Sequence, residues 1–220
     1  MTRGGHVRVY AVLLTALALA GSANAASAQV IEDTGGRGFE LLGSIGLLTP
    51  VSSLVDDPES FGATVNVSVA WGLDGMLWTS EHFGVGLTGW YSGAKLQVLD
   101  TDFQGAVPDD LGDITYLTGT VQAVYRFRGA GSRSPIEPYL AAGGGVRYLG
   151  ADEIAAPQVV DSTDPAGTIA GGFRVDGILA DVMIRLEIRD NISFYKSDAT
   201  GESKLQNDLI LSFGFGYRFP

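Results

Sequence analysis

Residues that could do catalysis are few in this chain. General acid–base and nucleophilic mechanisms need a base such as histidine placed beside a serine or a water-activating carboxylate. The chain has two histidines and no cysteine. His6 lies close to the N-terminus, and His82 follows Thr79-Ser80-Glu81 in a short polar segment. The sequence therefore predicts a protein that is not an enzyme, with no catalytic residue and no thiolate metal ligand.

Carboxylates that could bind a cation are concentrated in a polar segment at 93–113. They are Asp100, Asp102, Asp109, Asp110 and Asp113. Carboxylate oxygens suit Ca²⁺ or Mg²⁺, but the spacing of these aspartates does not match a calcium-binding loop. We therefore predict a solvated acidic loop with no metal and no cofactor, and the alternative is that these aspartates hold a divalent ion.

Another set of charged residues occupies alternate positions within apolar segments. Three are acidic and six are arginines: Glu40, Asp74, Glu187, Arg126, Arg147, Arg174, Arg185, Arg189 and Arg218. In each segment the charged residue shares its face with small or polar residues, and the opposite face is apolar. Because period two is the spacing of a β-strand, these charges are predicted to lie on one side of a sheet.

Eight segments show this alternation. Their predicted bounds are 38–48, 63–78, 83–92, 114–128, 137–150, 166–175, 181–190 and 209–220. The connections alternate between long and short, with long loops at 49–62, 93–113, 151–165 and 191–207. Alternating long loops and short turns are typical of outer-membrane β-barrels, whereas a soluble β-sandwich has no reason to alternate in this way. The fold class is therefore predicted to be all-β, a single eight-stranded antiparallel transmembrane up-and-down β-barrel.

The N-terminal segment has the composition of a secretory signal. Arg3 and Arg8 precede a short apolar run at 9–20, and Ala26-Ser27-Ala28 fits a cleavage site. Residues 1–28 are predicted to be a signal peptide and residues 29–220 the barrel domain, with an uncleaved anchor as the alternative. The formal net charge is −11, which argues against a nucleic-acid partner.

Aromatic residues recur on the apolar faces near the predicted strand ends. They are Phe39, Phe83, Tyr91, Tyr125, Phe127, Tyr148, Phe215, Tyr217 and Phe219, with Tyr116 added at the long-loop end. Tyr91, Tyr116 and Tyr148 lie towards the long loops and the others towards the short turns. Two such belts are expected where amphipathic rings meet lipid headgroups. The alternative is a soluble barrel with these aromatic residues in its core.

The polar faces are predicted to meet in a narrow lumen. Eight strands leave an interior that side chains just fill, and charges buried there need partners. We predict an ionic plug in which Glu40 pairs with Arg218, because these residues share one end of the first and last strands. Gly143, Gly144 and Gly145 are interpreted as making room for arginine side chains. The alternative interpretation of the same charges is a conducting pore.

Several motifs resemble those of a known family. They are the terminal alternation of Phe215, Tyr217 and Phe219, the run Glu137-Pro138-Tyr139-Leu140 with Gly143 to Gly145, and Arg185-Leu186-Glu187-Ile188-Arg189-Asp190. The mature chain resembles the eight-stranded outer-membrane β-barrels of the OmpA and OmpW type. One departure is that Pro220 follows Phe219, whereas such barrels usually end on the aromatic residue itself.

The resemblance implies location, partners and role. It implies a monomer in the outer membrane, surrounded by outer-membrane lipid and lipopolysaccharide and assembled by the barrel-assembly machinery through its C-terminal strand. The implied role is structural or surface interaction, with no cofactor. The alternatives are OmpW-like passage of small or hydrophobic solutes and, as a second alternative, modification of lipid A.

Overall fold

A computed structural model of the chain describes residues 38–51, 55–57, 61–98, 112–127, 136–152, 162–179, 181–196 and 203–219. The predicted signal peptide at 1–28 and Pro220 lie outside these residues. The strands in the described part are β1 (Gly38–Pro50), β2 (Val55–Asp57), β3 (Phe61–Val65), β4 (Ser68–Trp78), β5 (Phe83–Val98), β6 (Asp113–Arg126), β7 (Ile136–Ala151), β8 (Ser162–Leu179), β9 (Val182–Lys196) and β10 (Ser203–Phe219). Within the same residues, no helix is both long and apolar enough to cross a membrane.

Eight of these strands form a closed antiparallel barrel. From β4 to β10 each strand pairs with the next along the chain, and β1 pairs with both β4 and β10. The β1–β10 ladder closes the sheet and runs from Phe39 opposite Phe219 to Pro50 opposite Asp208. A closed sheet has no unpaired edge, which lets it hold together without disulfides. The predicted eight-stranded up-and-down architecture is confirmed.

The first long connection carries two short strands that were not predicted. β2 pairs with β3, and β3 pairs with the far end of β5, with Ala63 opposite Val98. β3 leads into β4 through Asn66 and Val67, so the second barrel strand is interrupted at this point. The prediction of a plain loop over 49–62 is therefore wrong for the residues of β2 and for the start of β3.

Several strands extend further towards the long loops than the sequence predicted. β5 reaches Val98, β9 reaches Lys196 and β10 begins at Ser203. The predictions ended early because Asp190 and Asn207 interrupt the apolar outward face with partly exposed polar residues, while backbone pairing continues past them. The hydrophobic period therefore marks the apolar band rather than the full strand.

The distribution of side chains is inverted relative to a water-soluble barrel. The outward face carries a continuous apolar band, as at Leu41, Trp71 and Leu211, which are 42%, 57% and 55% exposed. The inward face carries nearly all the buried charge. An apolar exterior around a polar interior is the pattern of a membrane barrel. The alternative of a soluble barrel with a core of these aromatic residues is therefore wrong.

The barrel has a turn end and a loop end. The turn end carries the short connections together with Gly38 and Phe219, and the loop end carries the long connections. The first residues of β1 and the last residues of β10 both lie at the turn end. Glu40 and Arg218 therefore lie directly opposite each other in the closing ladder.

Candidate functional site

The charged side chains of the lumen form three clusters stacked along the barrel. The turn-end cluster consists of Glu40, Glu137, Asp176, Arg126, Arg174 and Arg218. The mid-lumen cluster consists of Asp74, Glu187, Arg185 and Arg189. The loop-end cluster consists of Asp164, Asp208 and Arg147. All nine charged residues singled out from the sequence point into the lumen.

Arg174 is the centre of the turn-end cluster. Its Nη1 and Nη2 donate to the two carboxylate oxygens of Glu40 at 3.0 and 2.9 Å, and Nη2 also contacts Asp176 at 2.9 Å. Arg218 reaches Glu40 from the opposite strand, with Nε to Oε1 at 3.0 Å. A planar guanidinium that engages both carboxylate oxygens fixes geometry as well as charge. The turn-end cluster thereby ties β8 to both strands of the closing seam.

An indole ring supports the arginines of the turn-end cluster. The guanidinium carbon of Arg126 lies 4.0 Å from the ring centroid of Trp78, and that of Arg174 lies 5.4 Å from it. Cations over an indole face are attracted by its quadrupole, most strongly where water is excluded. Arg126 also donates through Nε to the backbone carbonyl of Glu81 in the turn. The Trp78 ring therefore packs among the paired charges of the turn-end cluster.

The mid-lumen cluster is the most enclosed of the three. Arg185 contacts Asp74, and Nε of Arg189 donates to Oε1 of Glu187 at 2.8 Å. The hydroxyl of Tyr139 donates to the other oxygen of Glu187 at 2.5 Å. These charged side chains are at most 4% exposed. Charged groups within a membrane span are expected to face the interior and pair in this way.

Neutral polar groups complete the hydrogen bonds of the mid-lumen cluster. Nη1 of Arg189 donates to Gln122 and to Thr168, each at 3.0 Å, and Thr88 donates to Asp74. Each partner comes from a different strand, so the cluster links opposite walls of the barrel. Such cross-lumen bonds favour a filled interior over an open water path.

Arg147 bridges the two carboxylates of the loop-end cluster. Its Nη2 lies 3.2 Å from Asp164 and its Nη1 lies 3.3 Å from Asp208. Ser162 donates to Asp164 at 2.9 Å, and the amide nitrogen of Gln206 donates to Asp208 at 3.2 Å. β7, β8 and β10 are therefore held together across the loop end.

Apolar side chains fill much of the space around the charges. The loop-end apolar layer consists of Leu48, Val65, Ala70, Trp90, Ala94, Ile114, Tyr116, Leu149 and Ile210. The turn-end apolar layer consists of Met76, Trp78, Val124, Tyr139, Ala141 and Ala170. A cavity of about 10 Å³ lies among the side chains of the turn half, which is room for about one water molecule. The described lumen is packed rather than open.

Comparison with solved structures supports the architecture. Neisserial surface protein A is 15% identical with a TM-score of 0.57, and the match covers 84% of this chain and 100% of that one. The outer membrane protein OprG from Pseudomonas aeruginosa is 20% identical with a TM-score of 0.56 over 84% and 98% of the two chains. The outer membrane protein AlkL, solved in DMPC lipid bilayers, is 16% identical with a TM-score of 0.51 over 86% and 94%. The chain has the fold of an eight-stranded outer-membrane barrel.

No protein-family model matches the sequence of this outer-membrane barrel, and no curated protein matches it. The predicted resemblance to eight-stranded outer-membrane barrels is confirmed at the level of the fold. The predicted outer-membrane location agrees with this fold and with the exposed apolar face of the barrel.

The lumen clusters also contain four carboxylates that sequence reasoning did not assign to the lumen. They are Glu137, Asp164, Asp176 and Asp208. Asp164 fell in a predicted loop, Asp208 fell between the predicted loop at 191–207 and the last predicted strand, and Asp176 fell in a predicted turn. Strand alternation could have placed Glu137 in the lumen, because Glu137 lies two residues before the inward-facing Tyr139. With these four included, the carboxylates of the clusters balance the arginines far better than the predicted three against six.

The predicted interface aromatics lie on the outer face of the barrel, with the exception of Tyr116. Phe39 and Phe219 approach across the seam with ring centroids 5.8 Å apart, and Phe83 packs edge-on against Tyr125 at 4.9 Å. Tyr116 was predicted to join the loop-end belt but is 3% exposed and faces inward. The alternation of β6 explains this, since Tyr116 has the same parity as Thr118 and Gln122.

The remaining candidate residues of the outer-membrane barrel lie away from the lumen clusters. Asp100, Asp102, Asp109 and Asp110 lie outside the described residues, and Asp113 is exposed at the start of β6. His82 lies at the turn end, where its ring stacks on Tyr125 at 5.8 Å. In the described ranges, no group of three or more acidic, histidine or cysteine residues is arranged to hold a metal ion.

Proposed function

We propose that the protein is an integral outer-membrane barrel with a structural or surface-interaction role, whose lumen is closed to ions. The observation that carries the proposal is the filled lumen, with its three charge clusters and two apolar layers. Each cluster joins strands from different parts of the wall, so ions would have to displace several paired side chains at once. An eight-stranded barrel whose side chains fill its interior functions through its wall and its loops rather than through a pore.

The proposal includes the surroundings of the barrel. Outer-membrane lipid and lipopolysaccharide would contact the exposed apolar band, and the barrel-assembly machinery would act through β10. The closed β1–β10 seam supports a monomer, because a closed sheet offers no free edge to a second copy. Support for a surface role comes from strands such as β9 and β10, which extend past the apolar band towards the long loops.

Purified protein in planar bilayers is expected to give no discrete conductance steps. The reason is that the paired charges of the mid-lumen cluster leave no continuous water path. Folding of the same sample is checked first by a shift in gel mobility on boiling. The double variant Asp74→Ala/Arg185→Ala serves as a control with a wider lumen. It removes one buried acidic and one buried basic side chain together, so neither is left without its partner. Reproducible, voltage-stable openings in the folded wild-type protein would contradict the closed lumen.

A second candidate function is passage of apolar solutes, and a specific feature of the wall favours it. The β1–β4 ladder ends at Leu48 opposite Ser68, and beyond this point β3 pairs with β2 instead of β1. The loop-end apolar layer, with the fully buried Trp90, lies inside the same half of the barrel. An apolar molecule could therefore reach this layer without crossing the ionic clusters.

Binding of an apolar solute at the loop end is expected to quench Trp90 selectively. A brominated alkane would be titrated into two single-tryptophan variants, Trp71→Phe/Trp78→Phe and Trp71→Phe/Trp90→Phe. If the solute enters the loop-end layer, Trp90 fluorescence falls saturably, while Trp78 at the turn end changes little. Equal quenching of both tryptophans would mean that the alkane acts from the lipid, and it would remove support for this function.

A further inference from the structure

The three lumen clusters differ in net charge. The turn-end cluster has three carboxylates and three guanidinium groups, and the mid-lumen cluster has two of each. In the loop-end cluster, Asp164 and Asp208 share the single cation Arg147 among the described residues. Asp208 is 1% exposed and Arg147 is fully buried. Among the described side chains one surplus negative charge is therefore enclosed, and such a charge is costly without a counter-ion.

Oxygen atoms without hydrogen-bond partners accompany this surplus charge. Among the described residues, Oε1 of Gln206 and Oγ of Ser193 are buried and make no hydrogen bond. Both residues are 3% exposed or less. In native structures most buried polar atoms have a hydrogen-bond partner. A buried polar atom without one needs an explanation, such as a bound ion or water molecule.

The positions of these oxygens place them at the loop-end cluster. The amide nitrogen of Gln206 donates to Asp208, so the free carbonyl oxygen belongs to a side chain already held at the carboxylate. Ser193 lies directly opposite Gln206 in the β9–β10 ladder. The hydroxyl of Tyr116 lies beside Asp208 from the facing wall. A carboxylate and three neutral oxygens therefore converge from three strands.

We propose that the loop-end cluster binds a monovalent hard cation such as Na⁺, held by the Asp208 carboxylate, the unpartnered oxygens of Gln206 and Ser193, and the hydroxyl oxygen of Tyr116. Oxygen-only ligands suit hard cations. Arg147 already neutralises one of the two carboxylates, so a single positive charge completes the balance. A divalent ion would leave excess positive charge beside the guanidinium. The inference does not depend on whether the lumen conducts.

The test compares unfolding of the full-length folded barrel in NaCl and in tetramethylammonium chloride at equal ionic strength. The organic cation is too large for the site. At a Na⁺ concentration about ten times Kd, the unfolding equilibrium constant is expected to fall about elevenfold, provided the unfolded chain does not bind the ion. Asp208→Asn removes the surplus charge and is expected to abolish the difference between the salts. Asp181→Asn, a substitution of an exposed turn aspartate, is expected to retain it.

A second variant tests the same site if Asp208→Asn does not fold. Gln206→Leu keeps the charge of the cluster but removes one oxygen ligand, so it is expected to weaken the Na⁺ dependence several-fold. Identical wild-type stability in the two salts would overturn the proposal. Stabilisation by Ca²⁺ at concentrations where Na⁺ has no effect would also overturn it.

Discussion

Gly145→Val is expected to abolish the folded barrel, whereas Gly144→Val is expected to leave it intact. The two glycines are adjacent on β7 but point to opposite faces. A Cβ at Gly145 would collide with the backbone carbonyl of Gly119 and come within 2.7 Å of the Cα of Thr120 on β6. A Cβ at Gly144 would meet only the carbonyl of Ala166 at 3.6 Å, which is an ordinary contact.

The collision at Gly145 cannot be relieved by a side-chain rotation, because the opposing atoms belong to the backbone of the neighbouring strand. Accommodating valine would require β6 and β7 to separate where Thr120 lies opposite Gly145. Loss of these ladder hydrogen bonds, together with strain, places the variant among the rare substitutions that cost more than about 4–5 kcal/mol. Valine has a high strand propensity, so intrinsic preference does not explain a failure at Gly145.

The measurement is the fraction of refolded protein that shows heat-modifiable gel mobility. Wild type and Gly144→Val are expected to shift on boiling, and Gly145→Val is expected to migrate identically before and after boiling. Gly145→Ala already carries the colliding Cβ, so it is also expected to lose most of the folded protein. Equal folding yields for the valine variants at positions 144 and 145 would contradict the close backbone approach of β6.

The role of these glycines also shows where sequence reasoning reached its limit. The alternation of side chains along β7 correctly placed Gly143 and Gly145 on the lumen side. The reason we predicted for these glycines, room for arginine side chains, differs from what the structure shows. The space is instead taken by the backbone of β6, at the carbonyls of Val121 and Gly119. How closely two strand backbones approach depends on the coiling and tilt of the barrel, which period-two alternation does not encode.

Neighbours along the wall could be predicted, because strand order and alternation determine them. Glu40 and Arg218 were placed opposite each other from the sequence, and they form that pair in the β1–β10 ladder. The partnership required only the assumption that the first and last strands pair to close the sheet.

Neighbours across the lumen could not be predicted. Arg174 reaches Glu40 across 134 residues of sequence, and Arg185 reaches Asp74 across 111. Which inward side chains meet depends on the stagger between strands that are not adjacent. The missed carboxylates have a different cause, because Asp164 and Asp208 lie in strand extensions where the apolar period is already interrupted.

Arg185→Met is expected to destabilise the barrel by about 3–5 kcal/mol, the usual cost of breaking a buried ion pair by removing one partner. Asp74 would lose its direct ionic partner and keep the Thr88 hydroxyl and the more distant Nη2 of Arg189, at 4.0 Å. Glu187 would be less affected, since it retains Nε of Arg189 at 2.8 Å and the Tyr139 hydroxyl. The measurement is the free energy of unfolding of lipid-refolded protein in denaturant, followed by tryptophan fluorescence.

The double variant Asp74→Leu/Arg185→Met is expected to recover most of the lost stability. It removes one negative and one positive charge, so the remaining Glu187 and Arg189 still balance. Replacing a buried pair by apolar residues of similar volume is often neutral or stabilising. Asp181→Asn at the exposed turn is the matched control and should stay within about 0.5 kcal/mol of wild type. If the double variant were as unstable as Arg185→Met alone, lost packing rather than the unpaired Asp74 charge would be the cause, and the electrostatic account of the mid-lumen cluster would fail.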